Sequence, residues 1–287
     1  MKMSPQHFLD WESKRITLLA MSGAGKTTLA NKLPNDKWFH YSVDYRIGTK
    51  YLGEPILDNI KRQAMDVPFL KKLLLSDSIY IHNNITVDNL APVSTFLGKL
   101  GNTEQEGLPL KEFKRRQALH HQAEVAALND VPAFIHKAED IYGYKHFLND
   151  AGGSVCELDN PQVLETLAEN TLIIYIKIPD SLKQTITARA KSDPKPLYYR
   201  EAFLDANLAE FMSAKQYTNA DQIPPDDFVS WVFPKLFDSR LPRYQAIADQ
   251  YGYTVNADDV AKVTNEAEFM QLIASAIATQ EANELCP

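Results

Sequence analysis

Residues 20–27 (Ala-Met-Ser-Gly-Ala-Gly-Lys-Thr) have the types and spacing of a Walker A phosphate-binding loop. Gly23 and Gly25 let the backbone curl so that successive N–H groups point at the β- and γ-phosphates of a nucleotide. Lys26 adds a mobile positive charge, and the Thr27 hydroxyl can bind Mg²⁺. We therefore expect ATP and Mg²⁺ as cofactors. The residues predicted to bind the nucleotide are Ser22, Gly23, Ala24, Gly25, Lys26, Thr27 and Thr28.

The segments around this loop have the order that the motif requires. Residues 15–20 form a short apolar run typical of a buried parallel strand. Residues 27–33 have helical spacing, and Pro34 closes the segment. The first motif position is Ala20 instead of glycine, a change that many such loops tolerate. The alternative interpretation is a glycine turn before an ordinary helix.

The bulk composition is that of an ordinary globular protein. The 287 residues are 45% hydrophobic and 23% charged, with a formal net charge of −7. That charge argues against broad wrapping of nucleic acid, although a local basic site stays compatible with it. Cys156 and Cys286 are too few for a secreted disulfide framework. Residues 1–15 lack a signal-peptide core and no run approaches a membrane span, so a cytoplasmic protein without a membrane partner is expected.

Four further strands are predicted, and helices separate them. The predicted strands are residues 38–43, 146–150, 171–178 and 253–255. The predicted helices lie near residues 58–75, 86–100, 110–128 and 132–142, then between about 181 and 249, and finally at 266–282. Strands that alternate with helices predict a parallel sheet covered on both faces. Chemistry in such sheets lies at the carboxyl ends of the strands, where Asp44, Asp150 and the phosphate loop all fall.

These features resemble the P-loop small-substrate kinases, the group that includes shikimate, gluconate, nucleoside and polynucleotide 5′-kinases. The resemblance implies an α/β fold, the P-loop NTPase three-layer sandwich with a five-stranded parallel sheet. It also implies a single kinase-like domain over residues 1–287. Within that domain, residues 47–145 would be a helical substrate-binding insertion after strand two, and residues of about 181–205 a lid after strand four.

The resemblance implies roles for Asp44 and Arg46, which stand in the string Val-Asp-Tyr-Arg after the second strand. Several of these kinases have an aspartate here that orients the acceptor hydroxyl and takes its proton. Phosphoryl transfer needs such orientation more than covalent help. Arg46 would hold an anionic group of the substrate. Alternatively, Asp44 caps the next helix and Arg46 is a solvated surface charge.

A second acidic residue, Asp150, ends the third predicted strand and is followed by Ala-Gly-Gly. A carboxylate in this place is the Walker B arrangement, which holds Mg²⁺ directly or through water. Gly152 and Gly153 resemble the glycine pair by which shikimate kinases approach their substrate. The alternative is a turn, which Asn-Asp and Gly-Gly sequences form readily.

The predicted lid supplies a candidate arginine, Arg189, on the helix after the fourth strand. In the resembled group an arginine from this position stabilises charge on the transferred phosphate. A charged helix end before a proline loop is the alternative. Weaker lid candidates are Lys191, Lys195 and Arg200. A helix in the insertion also carries a basic run, which is either a substrate-facing cluster or a solvated face, and consists of Lys111, Lys114, Arg115, Arg116, His120 and His121.

The function that these residues predict is ATP-dependent phosphotransfer. The γ-phosphate of Mg-ATP would move to a hydroxyl of a small-molecule or nucleotide-like acceptor, with Lys26, Asp44 and Arg189 as the catalytic residues. One alternative is a switch or regulatory ATPase that acts on a protein partner. Another is a nucleic-acid 5′-end kinase or toxin-type kinase, which the string at 44–46 suggests and the acidic balance disfavours. The acceptor and the oligomeric state are not readable from the sequence.

Overall fold

The computed structural model describes residues 2–285. Its five strands are β1 (Arg15–Leu19), β2 (Trp38–Ser42), β3 (His146–Asp150), β4 (Leu172–Lys177) and β5 (Gly252–Asn256). They form one sheet in the order β2-β3-β1-β4-β5, and each pair is parallel. Cys286, one of the two cysteines considered above, lies outside the described residues.

The three central strands, β3, β1 and β4, are buried on both faces of the sheet. Ile16, Thr17, Leu18 and Leu19 of β1 are all buried although they alternate between the faces, and β3 is buried along its whole length. A strand that shows no polar alternation is covered on both sides, as parallel sheets are. The predicted α/β class with a five-stranded parallel sheet is therefore confirmed.

Fourteen α-helices lie in the described part of the chain. They are α1 (Pro5–Asp10), α2 (Lys26–Ala30), α3 (Val43–Arg46), α4 (Gly53–Met65), α5 (Pro68–Leu75), α6 (Ala91–Leu97), α7 (Leu110–Asn129), α8 (Val131–Asp140), α9 (Pro161–Asn170), α10 (Asp180–Ser192), α11 (Glu201–Lys215), α12 (Pro225–Tyr251), α13 (Ala257–Lys262) and α14 (Glu266–Leu285). A π-helical turn, Ile47–Tyr51, lies between α3 and α4.

Several predicted helix boundaries were wrong. The helix expected over 58–75 is two helices, because Pro68 starts a new one at α5. The helix expected over 86–100 is confined to α6, and the helix of the phosphate loop ends at Ala30 instead of continuing to residue 33. Strand β2 ends at Ser42, so Asp44 lies in the first turn of α3.

The chain divides into two compact units. Within the described residues, the sheet unit comprises 2–43, 128–193 and 232–285, and it contains all five strands. The helical unit comprises 44–127 and 194–231. The predicted lid contains α10, an irregular stretch and the start of α11; its function as a lid stays a prediction, as does the substrate-binding role of residues 47–145. None of the described helices is both long enough and apolar enough to cross a membrane.

Candidate phosphate-binding site

The loop between β1 and α2 is curled at two glycines. Gly23 has φ +85° and Gly25 has φ +92°, a left-handed conformation that residues with a Cβ rarely adopt. A Cβ on Gly25 would meet no atom within 4 Å, so the backbone conformation, and not a lack of space, requires glycine there. The residues that lead into the loop, Leu19, Ala20 and Met21, are buried and anchor its start.

Lys26, the first residue of α2, folds back over the loop. It is 9% exposed, and its Nζ donates to the carbonyl oxygen of Ala20 at 2.9 Å. An ammonium group has three N–H donors, and Ala20 takes one of them. The positive charge is thus held at the mouth of the loop, beside the position that the Walker A pattern assigns to phosphate.

The side chain of Thr27 meets the carboxylate of Asp150. Its Oγ1 donates to Asp150 Oδ2 at 2.9 Å. The sheet makes this contact, because Leu18 of β1 pairs with Asp150 of β3 and brings the end of β3 beside the loop that follows β1. The hydroxyl of Thr27 and the carboxylate of Asp150, which are 123 residues apart in the sequence, are therefore hydrogen-bonded in the fold.

Asp150 is kept ionised in a buried position. Burial raises the pKa of this carboxyl, but the nearby His40 imidazole, the charge of Lys26 and the hydrogen bond from Thr27 together outweigh it. The resulting pKa lies below its ordinary value. An ionised carboxylate next to a hydroxyl is a set of donors that suits a hard divalent cation.

His40 is a neighbour of Asp150 that the sequence reasoning missed. Its Nε2 lies 3.7 Å from Asp150 Oδ2. Ser42 pairs with Asp150 across β2 and β3, and side chains two residues apart in a strand share a face. Only the strand register places His40 there, and no local signal in the sequence reveals that register.

The helix after β4 also reaches the loop. A Cβ on Gly23 would lie 3.8 Å from the side chain of Ile186 in α10. Arg189 follows Ile186 by three residues, so the two side chains share one side of the helix. Arg189 itself is exposed and lies in the last turn of α10.

Gly153 packs against the phosphate loop. A Cβ there would lie 2.5 Å from Ser22 Oγ, which is closer than packing allows, and 3.2 Å from the Ser22 nitrogen, which is a tight contact. Gly152 is buried in the same turn. The contact of Gly153 with Ser22 gives this glycine a packing role that the sequence did not indicate.

The helical unit contains Asp44 and Arg46. Both are half-buried, and the guanidinium of Arg46 lies 5.7 Å from the centre of the Tyr51 ring. That distance is in the range of a cation–π contact. Asp44 follows the end of β2 by two residues, and β2 is the sheet neighbour of β3, whose last residue is Asp150.

The basic run on α7 is largely occupied by partners in the helical unit. Lys114 pairs with Glu201 and Asp205, and Arg115 pairs with Glu112. Arg116 is buried and donates to Glu112, to the Phe96 carbonyl and to Asn59. The ring of His120 stacks on Tyr198 with centres 5.3 Å apart. These contacts give Arg116 and His120 structural roles.

Two further groups considered in the sequence analysis are the segment of Lys195 and Arg200 and the thiol of Cys156. The segment that carries Lys195 and Arg200 is held to α7 by Gln117, which donates to the Leu197 carbonyl and accepts from the Tyr199 N–H. Cys156 is a buried free thiol, and burial raises its pKa to about 12. A thiol with that pKa stays protonated near neutral pH and is a poor nucleophile.

Comparisons with known proteins gave structural matches only. No family model matches the sequence, and no curated protein matches it either. The shikimate kinase from Acinetobacter baumannii in complex with shikimate is 16% identical, with a TM-score of 0.41 and coverage of 97% of this chain and 99% of that one. The shikimate kinase from Bacteroides thetaiotaomicron is 16% identical, with a TM-score of 0.37 and coverage of 95% and 97%. Similarity this low assigns no activity, so the function has to be inferred from the geometry of the site.

Proposed function

We propose that this chain is an ATP-dependent phosphotransferase that moves the γ-phosphate of Mg-ATP to a hydroxyl of a small-molecule or nucleotide-like acceptor. The observation that carries the proposal is the hydrogen bond from Thr27 to Asp150 beside Lys26. It joins the hydroxyl of a Walker A loop to a buried, ionised carboxylate at the end of the neighbouring strand. A glycine turn without a nucleotide function has no need of either group.

The donors at this place fit Mg²⁺. Among residues 2–285, no cluster of three or more His, Cys, Asp or Glu side chains could hold a metal ion by itself. Mg²⁺ does not need such a cage, because it keeps several waters and takes one or two protein oxygens together with phosphate oxygens. Thr27 and Asp150 would supply those oxygens. When bound, the ion would neutralise charge that develops on the phosphates.

The chain's own residues would bind and orient the nucleotide. The backbone of Ser22–Thr28, with Gly23, Ala24 and Gly25 at its centre, would donate N–H groups to the phosphates. Lys26 would hold the transferred phosphate, and Arg189, one turn after the Ile186 that contacts the loop, would stabilise its charge.

The acceptor side of the reaction is assigned to four residues. Asp44 would hydrogen-bond the acceptor hydroxyl and take its proton as the bond to phosphorus forms. Arg46 would hold an anionic group of the acceptor. Gly152 and Gly153 would let backbone N–H groups approach it. These assignments rest on strand position and residue type, and the half-buried state of Asp44 is compatible with a base that must also meet solvent.

The proposal is tested by following ADP release from purified protein with Mg-ATP. The protein is incubated alone, with pooled metabolites that carry hydroxyl groups, and with tRNA or oligonucleotides, and the Lys26→Ala variant is the control in each arm. Stimulation by the metabolite pool, lost in the control, supports the proposal. Stimulation by nucleic acid alone would identify an end kinase. Hydrolysis that neither the metabolites nor the nucleic acids stimulate would overturn the proposal in favour of a switch ATPase.

A further inference from the structure

The turn after β3 contacts both the phosphate loop and α12, and both contacts are made by Gly153. Gly153 lies against Ser22, so close that a Cβ would come within 2.5 Å of the Ser22 hydroxyl oxygen. The carbonyl oxygen of the same Gly153 accepts a hydrogen bond from Arg240 Nη1 at 3.0 Å. One residue therefore joins the phosphate loop to an arginine of a distant helix.

Arg240 is held firmly enough to position what it binds. Its side chain is 5% exposed, and its Nε lies 3.5 Å from Oε1 of Glu157, whose side chain is fully buried. Because both side chains are almost fully buried, the guanidinium has little freedom to rotate away from the carboxylate. The position of Gly153 is thus set by a rigid group and not by a surface side chain.

We propose that Arg240 is a positioning residue that sets the phosphate loop through Gly153. In this role Arg240 acts through the Gly153 carbonyl. It fixes the Gly153 carbonyl, and the resulting contact of Gly153 with Ser22 keeps the N–H groups of the loop aimed at phosphate before nucleotide binds. The inference rests on the proposed function, because it gives a role to a loop that is taken to bind ATP.

The contact between Gly153 and Ser22 can be isolated by substitution. Gly153 is not among the residues with positive φ, so alanine is compatible with its backbone, and only the neighbouring Ser22 opposes the new methyl group. We expect Gly153→Ala to weaken the binding of ATPγS with Mg²⁺ by about ten-fold in calorimetry. In the Ser22→Ala background, where the opposing oxygen is gone, the same substitution should weaken binding by no more than about two-fold.

Arg240→Lys tests the other half of the connection, with Arg243→Lys as a matched control on the same helix. Arg243 donates to the Cys156 carbonyl at 2.7 Å and pairs with Asp159. These partners follow Gly153, the residue in contact with Ser22, by at least three residues. Lysine at 240 keeps the charge beside Glu157 but loses the fork that reaches Gly153. We expect affinity to fall about five-fold for Arg240→Lys and less than about two-fold for Arg243→Lys.

A nucleotide-free readout separates positioning from general stability. Hydrogen exchange of the amides of residues 22–26 should quicken in Arg240→Lys and stay unchanged in Arg243→Lys, even where both variants lose equal free energy of unfolding. Equal losses of ATPγS affinity in Arg240→Lys and Arg243→Lys would overturn this inference but not the proposed function. The same holds if Gly153→Ala weakens binding equally in the wild-type and Ser22→Ala backgrounds. Failure of the wild-type protein to bind ATPγS would instead overturn the proposed function and this inference with it.

Discussion

Strand β3 carries a buried titratable residue at each end, and the two ends serve different purposes. His146 begins the strand and Asp150 ends it, and each is 8% exposed. Each also lies near a buried lysine, Lys14 at the first end and Lys26 at the second. Burial and charge alone therefore do not distinguish a structural cluster from a candidate active site.

At the first end the charged and polar groups satisfy one another. Lys14 Nζ donates to the carbonyls of Leu9 and Trp11, and the backbone N–H of Lys14 donates to His146 Nδ1 at 3.1 Å. Glu266 accepts from Trp38 at 2.8 Å and lies 3.7 Å from His146 Nε2. Burial lowers the pKa of His146 to about 4, so this imidazole stays neutral and acts as a packing group.

At the second end the groups are positioned by a curled loop and leave capacity for a ligand. The loop has two left-handed glycines, and the Asp150 carboxylate stays ionised against the cost of burial. Thr27 donates to Oδ2 of that carboxylate and His40 lies near the same oxygen, whereas a carboxylate can accept about four hydrogen bonds. Both ends of β3 have a residue with a shifted pKa, so the shift does not identify the candidate site. What distinguishes the second end is a carboxylate that can accept further hydrogen bonds, next to a loop with left-handed glycines.

Replacing the two lysines gives the largest predicted contrast. Lys26→Ala should lower nucleotide-dependent turnover by at least about 100-fold, because it removes the charge that is proposed to hold the transferred phosphate. Lys14→Ala should leave turnover near the wild-type value and lower the free energy of unfolding by about 1–3 kcal/mol, because two carbonyls lose their donor. Steady-state kinetics and urea unfolding of both variants provide the measurement. Equal loss of turnover in the two variants would abolish the distinction between the ends.

Asp44→Asn extends the contrast to the neighbouring strand end. Transfer to the acceptor should fall by about 100-fold, since asparagine can orient a hydroxyl but cannot take its proton. Binding of ATP, measured by calorimetry, should stay close to the wild-type value. Full turnover in this variant would show that Asp44 is a residue of the α3 helix start and not a base.

Asp150→Asn should raise the Mg²⁺ concentration needed for half-maximal activity by about ten-fold, because the ionised oxygen is lost. His146→Gln changes the other end of the same strand and should leave this requirement unchanged. The measurement is a titration of activity with Mg²⁺, with EDTA-treated enzyme as the baseline. A requirement that shifts equally in both variants would mean that Asp150 acts only through the fold.

The two ends should also respond to acid in separate ranges, which is the smallest predicted effect. A neutral histidine with a lowered pKa adds stability above its ordinary pKa of 6.5, and that stability is lost as the pH falls toward about 4. The pKa of Asp150 is also lowered, so its contribution is lost only below its ordinary value of 3.8.

Between about pH 7 and about pH 5, therefore, wild type should lose up to about 2 kcal/mol more free energy of unfolding than His146→Gln. Asp150→Asn should follow the wild-type slope over that range. Urea unfolding at both pH values measures the difference. Identical slopes for wild type and His146→Gln would show that His146 binds a proton as readily in the folded chain as in the unfolded one.

Much of the fold followed from local patterns. The bounds of β3 were predicted residue for residue, and the remaining strands to within one or two positions, because continuous apolar runs bounded by turn residues are a local signal. Helix ends were less accurate. Pro68 was placed inside one long predicted helix, whereas proline is favoured in the first turn of a helix and begins α5 here.

The candidate site was predictable in its parts but not in its contacts. Lys26, Thr27, Asp44 and Asp150 could be selected by type and position alone. His40, Gly153 against Ser22, and Arg240 could not, because each contact depends on strand register or on a helix that is remote in sequence. The structural use of Arg116 was hidden for the same reason, since its partner carbonyl belongs to Phe96 on another helix.

By itself the sequence determined the phosphate loop and the order of strands and helices, because glycine placement and apolar periodicity act over a few residues. The tertiary structure alone decided which end of β3 holds a saturated cluster and which holds a site with capacity to spare. That decision is made by contacts such as the one between Thr27 and Asp150 across 123 residues. Such contacts form only when the parallel register of β1 and β3 brings two chain segments together.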